Sequence, residues 1–133
     1  MSKGDFIIEL ASGYDFDRTV DNILKGAAER SWNIPATHDL QLSLLKSGKT
    51  VKPVKVIEIC KPQYSGQMLE LNHERIMSVM MPCRISVYVK DDGNTYVALI
   101  DGNKMSAGQP DSIAKVMKAA SDETLEIVNK AIS

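Results

Sequence analysis

A chain of 133 residues, 44% hydrophobic and 25% charged, has the size and balance of one soluble globular domain with a single core. Its formal net charge of -1 argues against a dedicated nucleic-acid binder, which needs a basic excess to neutralise phosphates. Residues 1–5 hold no apolar core of a signal peptide, and no apolar run approaches a membrane span, so the expectation is a cytoplasmic protein with its two cysteines as free thiols.

Phe6, Ile7, Ile8, Glu9 and Leu10 predict a first strand, which Gly13 ends. Asp15 then caps a helix whose apolar positions Phe16, Val20, Ile23, Leu24 and Ala27 follow the 3,4 spacing of one buried stripe. Asp17, Arg18, Asp21, Lys25 and Glu29 fall on its other side, and Gly26 weakens the helix unless packing offsets it. Residues 32–38 predict a second strand, where Pro35 removes a ladder donor and so favours an edge or a bulge. Asp39 caps a short helix over 40–45, closed by Ser47 and Gly48.

Residues 51–60 alternate imperfectly between apolar and charged and predict a third strand, stopped by Pro62. Residues 63–71 and 73–81 read as one broken helix or two short ones, with Asn72 as the break. After Pro82, residues 84–90 are strong β-formers; Asp91, Asp92, Gly93 and Asn94 signal a hairpin turn, and 95–100 return. Residues 101–108 read as a loop. A long final helix begins at Asp111 or Ser112 and places Ile113, Val116, Met117, Ala120, Thr124, Ile127, Val128 and Ala131 on one face. The whole predicts one α+β domain, core about residues 5–132, with a twisted, mainly antiparallel or mixed sheet of about five strands and helices over one face.

The candidate chemistry gathers where the third strand ends and the fourth begins. Period two puts Cys83, Ile85, Val87 and Val89 on one strand face, so Cys83 points to the core, where a thiol is commonly a small apolar filler. The functional account is a thiol at a strand end beside Arg84, with Cys60 near it at the end of the third strand. Two thiols plus thioethers from Met80, Met81 or Met105 suit a soft metal or haem iron, whereas no C-x-x-C or paired-histidine spacing suggests zinc. Glu58 shares a strand face with Cys60 and is either a partly buried carboxylate or a solvated edge residue. His38 and His73 stand alone, the glycines of 102–108 form no phosphate loop, and Ser12, Ser65 and Ser106 sit in no nucleophile elbow.

With Cys60 and Pro62 at one strand end, Pro82, Cys83 and Arg84 at the next strand start, and Val87 and Tyr88 beyond, the chain resembles a bacterial and archaeal family known as domain of unknown function 302. The resemblance runs from about Phe16 to Ile132. It implies a compact α+β domain, often a homodimer, with no established activity, and carries over Cys60, Pro62, Pro82, Cys83, Arg84 and Met105. One departure stands out: where the family commonly has glycine and phenylalanine after the first helix, this chain has Ser31 and Trp32, so the turn loses glycine's conformational freedom.

Three functions follow as expectations. The first is a dimeric binding or sensing module with a thiol and anion site at one sheet end, formed by Cys60, Pro62, Pro82, Cys83, Arg84, Met105 and Glu58, with Arg84 holding an anion or merely pairing with Glu58. The second is a thiol enzyme using Cys83 or Cys60, which lacks an evident general base. The third is a structural interaction protein with packed cysteines. A homodimer and a small ligand are the expected partners, without nucleic acid or membrane.

Overall fold

A computed structural model describes residues 6–133; the reading of residues 1–5 as free of a leader lies outside the described residues. The elements run β1 (Ile7–Ala11), α1 (Phe16–Glu29), β2 (Asn33–Asp39), α2 (Leu40–Lys46), β3 (Val54–Cys60), α3 (Pro62–Leu69), a 3₁₀ segment (His73–Met80), β4 (Cys83–Val89), β5 (Thr95–Ile100), α4 (Gly102–Met105) and α5 (Asp111–Ile132). The strands form one sheet in the order β1-β5-β4-β3-β2, every pairing antiparallel. The α+β expectation is borne out.

Strict alternation makes one sheet face apolar. Ile57 and Ile59 of β3, Ile85 and Val87 of β4, and Val97 and Leu99 of β5 are buried against Val20, Ile23 and Ala27 of α1 and Ile127, Val128 and Ala131 of α5. Each of the isoleucine, valine and leucine side chains contributes about 1.5–3 kcal/mol on leaving water, so this single layer dominates the stability. The opposite face, bearing Val56, Glu58, Arg84, Ser86, Tyr88, Tyr96 and Ala98, is left uncovered by α1 and α5, and these residues are only half-buried or exposed.

β2 lies at a sheet edge, and its register with β3 shifts between Asn33 and Ala36, around Pro35, as the missing donor requires. Asp39 accepts from the Leu42 amide and caps α2. Three local expectations need correction. Residues 51–53 stand outside β3, since Pro53 offers no amide; Gln41 Nε2 donates to the Val51 carbonyl at 3.1 Å instead. Residues 73–80 wind as a 3₁₀ segment, because a short stretch with no buried residue has no packed stripe to hold it as an α-helix. Ile76 and Val79 there are 73% and 82% exposed. The 101–108 loop contains the turn α4, which Asp101 caps by accepting from the amides of Asn103 and Lys104.

The turn after α1 keeps a left-handed residue despite losing glycine: Ser31 has φ 65°. A residue with a Cβ is strained in that region, and glycine is not. Ser31→Gly is therefore expected to raise stability by about 1 kcal/mol, the strain relief exceeding the extra unfolded-chain freedom. Urea unfolding of the variant checks this, and an unchanged or lower midpoint would refute it.

Candidate functional site

Antiparallel pairing sets Ile59 opposite Cys83 and Glu58 opposite Arg84. Alternation then places Cys83 with Ile59 on the core face, while Cys60, Glu58 and Arg84 belong to the uncovered face. Both thiols are half-buried and free. Their Cβ directions diverge across the sheet, a poor geometry for a disulfide without backbone movement. Burial pushes the Cys83 thiol above its ordinary value, the Cys60 thiol adds to the rise, and a backbone hydrogen bond only partly opposes it. Cys60 Sγ lies 3.6 Å from Ser65 Oγ.

The strand ends surround a predominantly apolar cavity of about 460 Å³, partly open to solvent. It wraps the sheet end, reaching the helical layer at Trp32, Tyr64, Met68, Val116 and Thr124 and the uncovered face at Val56, Ser86 and Ala98. Five of the chain's seven methionines line it: Met68, Met77, Met80, Met81 and Met117. Among the expected site residues, Cys60, Pro82, Cys83 and Arg84 line it together. Glu58, Pro62 and Met105 do not, which removes the Met105 thioether from any sulfur cluster there. Among the described residues, no three or more His, Cys, Asp and Glu side chains gather in a way that could hold a metal ion, so the soft-metal and haem expectation rests on sulfur alone.

One wall of the cavity carries a polar lock that the sequence reading missed. Glu123 of α5 accepts from Trp32 Nε1 at 2.9 Å, Lys61 Nζ at 2.7 Å and Tyr64 OH at 2.5 Å. Lys61 Nζ also donates to the Arg30 carbonyl at 3.0 Å and sits 5.8 Å and 5.6 Å from the ring centres of Trp32 and Tyr64. Burial alone would raise the Glu123 carboxyl, but the bonds from Lys61, Tyr64 and Trp32 together with the Lys61 charge hold it below its ordinary value. The bond to Glu123, with burial, raises the Tyr64 hydroxyl. The signal in the sequence was Trp32 itself, since a buried indole N–H needs an acceptor.

On the uncovered face, Arg84 has a 62% exposed side chain and a loose 3.8 Å approach of Nη2 to Glu58 Oε2. The same Glu58 oxygen lies 2.9 Å from His38 Nε2. At the far end of the face Tyr88 and Tyr96 stack at 6.3 Å between centroids; Tyr88 OH donates to Glu9, and Tyr96 OH to Asp92 at 2.5 Å. Burial and the Glu9 carboxylate raise the Tyr88 hydroxyl strongly. No helix of the described residues is long and apolar enough to cross a membrane.

A family model described as "Domain of unknown function DUF302" matches residues 8–132. No curated protein matches the chain. A solved structure, the crystal structure of an uncharacterized conserved protein DUF302 from Bacillus stearothermophilus, is similar at a TM-score of 0.85 and 13% identity, over 96% of this chain and 99% of that one. At that identity the likeness shows the fold.

Proposed function

The chain belongs to the DUF302 family, a domain of unknown function, and on that premise we propose that it is a small-molecule binding module that acts as a homodimer in the cytoplasm. The carrying observation is the sheet-end cavity of about 460 Å³, within the roughly 300–1,000 Å³ of typical ligand sites. Thiols and thioethers on its wall make it receptive to polarizable groups and to oxidants or soft ions. Two free thiols on divergent faces suit a reducing compartment. The thiol-enzyme reading has less support. Cys83 is shifted away from thiolate at neutral pH, and neither thiol hydrogen-bonds to a histidine or carboxylate among the described residues.

A neutral apolar dye such as Nile red tests the reading. It is expected to bind the native protein saturably with one site per chain. Ala120→Trp, which fills the cavity from α5, is expected to abolish that binding while leaving the circular dichroism spectrum unchanged. Absence of saturable binding to the native protein, or undiminished binding by the folded variant, would sink the proposal.

A further inference from the structure

Charge on the cavity wall narrows the ligand's chemistry. Among the described residues, the charged side chains that line the cavity are Lys61 and Arg84, both cationic, with no carboxylate beside them on the lining. They differ in what they already hold. Lys61 is spent, with Glu123 at 2.7 Å, the Arg30 carbonyl at 3.0 Å, and two aromatic rings around the ammonium. Arg84 is not: its carboxylate neighbour stands 3.8 Å away, and that neighbour already engages His38 at 2.9 Å.

From this unspent guanidinium at the rim of an apolar, methionine-lined cavity, we infer that the ligand is an amphipathic organic monocarboxylate, its head on Arg84 and its alkyl or aryl body among Met68, Met77, Met81 and Met117. The inference rests on the binding-module reading and specifies the ligand within it. A guanidinium presents paired N–H donors that match the two oxygens of a carboxylate, which a compact ammonium does not. The thioether chains adapt to bodies of varied shape without demanding a partner for any polar atom. Arg84 sits at the start of β4, its backbone held opposite Glu58 of β3, so the head position is fixed by the sheet rather than by a loop. Cys83, next in the chain but on the other face, supplies apolar wall instead of charge.

The experiment is displacement of bound Nile red by decanoate and by decanol, an acid and an alcohol sharing one body. Decanoate is expected to bind the wild-type protein about tenfold more tightly than decanol, and added salt to narrow the gap. In Arg84→Gln, decanoate should fall to the level of decanol while decanol binding holds. Arg84→Lys, with its charge but without the fork, should recover part of the preference. Equal affinity for acid and alcohol in the wild type, or a loss in Arg84→Gln that is the same for both, would overturn the carboxylate assignment and leave the cavity as a neutral site. Displacement by neither compound, with Nile red itself unbound, would instead strike the binding-module reading.

Discussion

Replacing Glu123 by alanine is expected to lower the unfolding free energy by about 3 kcal/mol, the cost of leaving a partly buried charge and its bonded neighbours without their acceptor. Three donors converge on this one carboxylate from two places in the chain: Trp32 beyond α1, and Lys61 with Tyr64 at the start of α3. Trp32 is buried, and the Lys61 and Glu123 side chains are each 16% exposed, so water replaces the lost acceptor poorly. That is why the value lies well above the ~0–1 kcal/mol of a surface ion pair. Glu123→Gln keeps one acceptor oxygen and loses the charge, so a smaller loss is expected. A Glu123→Ala midpoint in urea equal to the wild type's would show that the lock contributes nothing.

The same carboxylate makes part of the stability depend on acid. Its folded-state value is depressed, so the stabilisation is present above the ordinary carboxylate range, about 4.3, and is lost as pH falls through the lower folded value. Asp92 and Asp122 are also held low, chiefly by bonds from Tyr96 and Asn103, and titrate in the same window. The quantity to follow is therefore the difference between wild type and Glu123→Gln. It should stay constant from pH 7 to pH 5 and shrink below about pH 4. A difference that grew on acidification would contradict the assignment.

Ala98→Arg is expected to convert the proposed homodimer to a monomer, halving the mass seen by sedimentation, with little change in chain stability. Ala98 lies at the centre of the uncovered face, paired across to Ser86 and flanked by Glu9 of β1. The middle of that face is small and uncharged, with Val56, Ser86 and Ala98. Its two ends carry both signs, Arg84 with Glu58 and His38 at one, Lys90 with Glu9 and Asp92 at the other. A two-fold axis across such a face buries the small centre, where an inserted guanidinium has no partner. A second copy seated there would also cover the cavity's outer wall, which Val56, Ser86 and Ala98 help form. Wild-type protein that sediments as a monomer at micromolar concentration would remove the homodimer; a dimer that survives Ala98→Arg would move it to another surface.

The fold was legible wherever a local rule acts alone. Alternation along β4 assigned Cys83 to the core face, Pro35 marked an edge with a bulge, Asp39 capped α2, and Asn72 separated α3 from the segment after it. Where partners come from distant elements, the sequence was silent. Nothing around Glu123 distinguishes it from Glu126 or Asp122 on the same helix, and only folding brings it to Trp32, Lys61 and Tyr64. The turn α4 escaped notice because Gly102 reads as a helix breaker. It is tolerated because a Cβ there would come within 2.8 Å of Ser121 Cβ and 2.9 Å of the Met117 carbonyl oxygen. Of the expected site residues, strand register brought four to one cavity, while Glu58, Pro62 and Met105 fell outside it.

The interrupted pairing of β2 bears on how the molecule behaves in a crowded solution. An incoming chain that tried to extend the sheet past Asn33–Asp39 would meet a strand whose regular repeat is broken between Asn33 and Ala36. Fibre growth by templating needs an unbroken row of donors and acceptors, and this margin does not offer one.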